Sequence, residues 1–121
     1  MRTFLTGVLI AGALAVNAQS NQVQNTINYL KNKELDKAKT AADLASVHEN
    51  TSSSAKLWMY RGKVYQAIYE DKSEAVRKLD PEAEEKAVES FITSLKLDKD
   101  NIYKDEVTGL LVLSAGALNN I

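Results

Sequence analysis

The chain has 121 residues, with 15 basic and 16 acidic side chains for a formal net charge of −1, 45% hydrophobic residues, one proline and no cysteine. That balance excludes a strongly basic binder of nucleic acid or anionic membrane, and the missing cysteine excludes both a disulfide framework and a cysteine-linked lipid anchor. So few turn-making residues in a water-soluble composition favour long helices, and the size suits one small domain.

The first segment differs from the rest. Arg2 is the only charge among the first twenty residues, and an apolar run follows from Phe4 to Leu14. That run is well short of the roughly 20 apolar residues a membrane-spanning helix needs. It leads into Val16-Asn17-Ala18, small or apolar at the two positions a signal peptidase reads. The pattern predicts a signal peptide over residues 1–18, cleaved after Ala18, leaving residues 19–121 as an exported domain with no transmembrane span. An uncleaved anchor or a buried N-terminal helix is the alternative.

From Asn21 the apolar positions Val23, Ile27 and Leu30 recur at steps of three and four, and Leu35, Ala38, Ala42 and Ala45 resume that spacing after a break at Asn32-Lys33. This predicts a helical hairpin over about 21–50, whose second helix carries a stripe of small residues, Ala38, Ala41, Ala42 and Ala45, along which a neighbour can approach closely. The polar cluster from Glu49 to Ser54 then supplies hydroxyls to cap a helix starting near Ser53 or Ser54 and running to about Asp71. Leu57, Trp58, Val64, Tyr65 and Ile68 fall on its inner face, with Tyr60 and Tyr69 near the edges.

A mostly charged stretch leads to Asp80-Pro81, a capping side chain followed by the residue best suited to the first helical position, so a helix is expected from Pro81. It should present Ala87, Val88, Phe91, Ile92, Ser94 and Leu95 inward and end near Leu97-Asp98, with Glu82, Glu84 and Glu85 near the positive end of its dipole. The turn Lys99-Asp100-Asn101 precedes a last segment, Glu106 to Ile121. There Val107, Leu110, Leu111, Val112, Leu113, Ala115 and Leu118 make a helix apolar nearly all round, which calls for a covering element. A longer protein continuing past Ile121, or self-association through residues 106–121, would provide one.

Two similar helix pairs invite a search for repeats. The segment Trp58-Met59-Tyr60-Arg61-Gly62-Lys63-Val64-Tyr65, continued by Ala87-Val88-Glu89-Ser90-Phe91-Ile92-Thr93-Ser94-Leu95, resembles the tetratricopeptide-repeat signature. It has an aromatic residue, glycine four later, an aromatic three after that, then alanine, an aromatic four on and a small residue three further. The first hairpin fits the same frame more loosely, with Tyr29 in the second aromatic slot, Ala38, Ala42 and Ala45 in the second helix, and Gln22 where the opening aromatic would stand. Arg61 replaces a commoner aliphatic residue, and about thirteen extra residues separate Tyr65 from Ala87.

The resemblance, spanning roughly residues 21–98, implies an all-α fold of antiparallel hairpins stacked as a short right-handed solenoid. Hairpin 1 would cover about 21–50, hairpin 2 about 54–98, and a third repeat would start at about 105–121. Gly62 would sit where the two helices of a repeat come closest, Ala87 and Ser94 would give clearance, and Trp58, Tyr65 and Phe91 would fill the space between. It also implies a concave groove, lined on the matching positions by Lys56, Met59, Lys63 and Gln66, that receives a peptide or partner helix. Exported bacterial proteins of this class share the pattern, so a periplasmic or envelope-associated scaffold is expected. The clamp that some members use for acidic chaperone tails is not expected, because Val23 and Ile27 stand where polar groups would be needed.

Catalytic chemistry finds little to build on. His48 is the only histidine and has only Asp43 and Glu49 nearby, too few converging ligands for a metal, so it reads as a surface or packing residue at a helix end. Glu85 and Glu89 lie one turn apart on a solvent-facing stripe and do not form an acid–base pair. Ser52 to Ser54 lack a companion base, and no glycine-rich phosphate loop occurs. The expectation is therefore no enzyme, no cofactor, no metal and no nucleic acid.

Overall fold

The computed structural model describes residues 21–119, and the signal peptide predicted over 1–18 lies outside them. Every regular element among the described residues is helical: α1 (21–31), α2 (Leu35–Val47), α3 (Ala55–Glu70), α4 (Glu74–Arg77), α5 (Ala83–Leu97) and α6 (Lys104–Asn119). No helix among them is long and apolar enough to cross a membrane.

Local chemistry sets the boundaries. Lys33 adopts the left-handed conformation (φ 57°), its N–H donating to Leu30 O at 3.1 Å while Glu34 N–H donates to Tyr29 O at 2.9 Å. These paired bonds cap α1 as a glycine usually would, and they reverse the chain at the predicted break. At the far end of α2 the Thr51 hydroxyl donates to Ala45 O at 2.5 Å. Ser54 Oγ accepts from Leu57 N–H at 3.1 Å and opens α3, as the hydroxyl cluster predicted.

The start of α5 lies two residues beyond the expected Pro81, at Ala83. Asp80 Oδ1 does accept from Glu82 N–H at 2.9 Å, but residues 80–83 form a tight turn, closed by Ala83 N–H donating to Asp80 O at 3.2 Å, before α-helical bonding sets in. The charged stretch before it contains the single-turn helix α4, with no buried residue. Asp98 reaches across its loop to cap α6, Oδ1 accepting from Ile102 N–H at 2.9 Å and Oδ2 from Tyr103 N–H at 2.8 Å.

The long α3 is the centre of the packing, with α2 on one side and α5 on another, and α5 in turn packs on α6. One apolar cluster joins Leu35 and Ala38 of α2, Met59, Val64, Tyr65 and Ile68 of α3, Ala83, Ala87 and Phe91 of α5, and Val107 of α6. Each large aliphatic or aromatic side chain so enclosed contributes roughly 1.5–3 kcal/mol of transfer free energy. The alanine stripe of α2 is wholly covered, as its spacing predicted. Ile92 is a correction: expected inward, it is 38% exposed, because the inner face of α5 follows Ala83, Ala87, Ser90, Phe91 and Ser94, which turns the position after Phe91 outward.

Candidate interaction surface

Gly62 of α3 lies directly against the Phe91 ring of α5. A Cβ built on Gly62 would stand 2.8 Å from Phe91 Cζ and nearer still to two other ring atoms, so the ring occupies the space a side chain would need. Ser94, three residues after Phe91 on α5, donates its hydroxyl to Ala55 O at 2.8 Å, and Ala87 is fully buried. Small residues at these positions are thus what allows the two backbones to meet. Tyr65 and Phe91 are completely enclosed, while Trp58 is half-buried, its indole N–H donating to Ser52 O at 2.8 Å. In the first hairpin Tyr29 packs against the edge of the core, and Ala38 and Ala45 are fully buried.

Of the four expected groove positions, Met59 is a correction. Met59 is 2% exposed and belongs to the core, in the cluster that also holds Val107 of α6. Lys63 donates to Glu106 of α6 at 2.8 Å and lies 4.7 Å from the Tyr60 ring centroid. Gln66 is half-buried and Lys56 is exposed. Lys56 opens onto a cleft of about 300 Å³ between the start of α3 and the loop before α6, where Leu97, Asp98, Lys99, Asp100, Ile102 and Tyr103 stand beside it. Ile102 is 69% exposed there. Sequence reading missed this cleft because its two walls come from segments more than forty residues apart.

Sequence reading also missed a charged junction between the hairpins. Arg61, buried on α3, places Nε 3.3 Å from Asp43 Oδ1 of α2 and donates from Nη1 to Ser90 Oγ of α5 at 2.7 Å. Its guanidinium lies 4.9 Å from the Tyr65 ring centroid and 5.3 Å from that of Trp58. Tyr65 donates its hydroxyl to the Asp43 carboxylate at 2.7 and 2.8 Å. Burial pushes the Tyr65 phenol well above its ordinary range, and Asp43's hydrogen bond and charge push the same way against Arg61. The available signal was Arg61 itself: a charge at an otherwise apolar helix position needs a counter-charge, and Asp43 is the carboxylate beside the buried alanine stripe.

Lys86 and Asp80 extend this polar layer. Burial alone would raise the Asp80 carboxyl, but the hydrogen bond from Lys86, the Glu82 N–H and the Lys86 charge together hold it below the usual range. The same hydrogen bond raises Lys86 against its own partial desolvation.

His48 is half-buried at the end of α2, Nδ1 accepting from Asn50 N–H at 3.2 Å. Among the described residues no three potential metal ligands converge. Glu85 and Glu89 are exposed on α5. Comparison with family models, curated proteins and solved structures found no match.

Proposed function

We propose that this chain is a non-catalytic protein-interaction scaffold of tetratricopeptide type, exported to the cell envelope, whose hairpins stack as a short right-handed solenoid. The observation that carries the reading is the Gly62–Phe91 contact, with Ala87 and Ser94 beside it. It supplies at the expected residues the close helix crossing for which the repeat signature needs a glycine opposite an aromatic ring. The order of neighbours, α2 on α3, α3 on α5 and α5 on α6, agrees with a repeat stack.

Partner binding is centred on the cleft beside Lys56, where the exposed Ile102 and the Tyr103 ring stand among Lys56, Lys99, Asp98 and Asp100. That combination suits an extended peptide offering one apolar side chain flanked by polar groups. Selection from a displayed library of extended peptides tests the reading. Peptides that bind the chain and are lost with Lys56→Glu and with Ile102→Asp are the expected result. Selected peptides insensitive to both substitutions, or no selectable peptide at all, would refute this assignment of the cleft.

A further inference from the structure

We infer that occupancy of the Lys56 cleft is coupled to the seating of α6, with Asp98 as the positioning residue that joins them, a regulation that rests on the binding role of the cleft proposed above. The first wall of the cleft, Ser54, Ala55 and Lys56, is the opening turn of α3. Its second wall is the loop that ends α5 and begins α6, and one side chain shapes it. Asp98, 8% exposed, takes the Ile102 N–H on Oδ1 at 2.9 Å and the Tyr103 N–H on Oδ2 at 2.8 Å, while its own carbonyl accepts from Asn101 N–H at 3.2 Å. Asn101 completes the turn in the left-handed conformation (φ 55°), which asparagine tolerates better than most residues. Bonds from two backbone N–H groups to one carboxylate are stronger than neutral ones, so the Asp98 side chain fixes where Ile102 stands in the cleft.

The same residues lead into α6. Tyr103 O accepts the Val107 N–H at 2.9 Å, and Tyr103 packs against the apolar cluster that holds Val107. Beyond this turn α6 is lightly held. Among its described side chains only Val107 and Ser114 are buried, and its polar links to α3 are Lys63 to Glu106 at 2.8 Å and the Tyr69 hydroxyl to Ser114 Oγ at 3.3 Å. A helix with so few buried contacts opens more readily than α3, which carries seven buried residues. When α6 lifts, Val107 leaves the core and draws Tyr103 and Ile102 with it, so the second wall keeps its shape only while α6 is seated. A partner in the cleft therefore holds α6 down, and by linkage a seated α6 favours the partner.

Hydrogen exchange of the full chain, with and without a peptide selected from the displayed library, tests the coupling. Contact with the peptide alone would slow exchange at Ile102 and Tyr103 and stop there. Coupling also slows the amides from Val107 to Ser114, none of which lines the cleft. The expected slowing there is about tenfold with peptide at about nine times its dissociation constant. Asp98→Ala should cut that distant slowing to less than about twofold at equal saturation, and Asp98→Asn, which keeps one acceptor, should fall between. Slowing confined to Ile102 and Tyr103, or distant slowing undiminished in Asp98→Ala, would overturn the coupling and leave the cleft as a binding site. Peptides insensitive to Lys56→Glu and Ile102→Asp, or no selectable peptide, would remove the cleft itself and this inference with it.

Discussion

Phe91 lies with its ring against the backbone of Gly62, and three of its ring atoms would fall within 3 Å of any side chain placed there. Gly62→Ala is therefore expected to destabilise the fold despite alanine's better helix preference. Overpacking a tight core costs about 1–3 kcal/mol, against a helix gain of about 0.5–1 kcal/mol. Chemical denaturation of Gly62→Ala, Phe91→Leu and the double variant checks this. A double variant less destabilised than the sum of the singles is the expected coupling, and strict additivity would place the two residues apart.

The junction of Arg61 with Asp43 and Ser90 predicts an asymmetric response to substitution. Arg61→Ala should cost about 2–4 kcal/mol, because it takes the guanidinium from Asp43 and from Ser90 Oγ and removes a buried side chain whose charged end lies beside two aromatic rings. Asp43→Asn should cost less, about 1–2 kcal/mol, since that carboxylate is partly open to water and an amide still accepts from Tyr65. Urea midpoints of the two variants give the order directly.

Both ends of the pH scale should destabilise the protein through named groups. Asp80 titrates below its usual range when folded, so its contribution is present above about pH 4 and is lost as the pH falls through its folded value. Tyr65 and Lys86 are raised when folded, so theirs are complete below about pH 10 and are lost as the pH climbs past it. Asp80→Asn should flatten the acid limb of stability against pH. On the alkaline side the phenolate absorbance of Tyr65, isolated by difference from Tyr65→Phe, should appear together with loss of helix and not before it.

Asp98 tests how α6 is held. Its carboxylate takes two backbone N–H groups ahead of that helix, so Asp98→Ala should cost about 1–2 kcal/mol. Hydrogen exchange should quicken mainly at Ile102, Tyr103 and the first turn of α6, with α3 little changed.

Much of the fold is legible in the sequence where the cause is local. Ser54 capping α3, the reversal after Asn32, the Asp80 side chain ahead of α5 and the covered alanine stripe all follow from residues within one or two turns of each other. What escaped depends on distant partners. Met59 has the spacing of a groove residue and is buried in a cluster that also holds Val107 of α6, nearly fifty residues on. Lys63 is likewise engaged by Glu106. Asp43 looks like one more solvated helix charge until Arg61 and Tyr65 arrive from the next hairpin.

The covered stripe of α2 is almost entirely methyl groups, and a surface so smooth has little to tell one alignment from another. Sliding α2 along its neighbour by one turn, about 5.4 Å, would exchange alanine for alanine at small loss of apolar contact. The same slip would carry Asp43 out of reach of both a guanidinium and a phenol and strand them in the interior. Charge rather than shape therefore fixes the axial position of the first hairpin, and a variant with this junction made wholly apolar would keep its helices while losing a single setting between them.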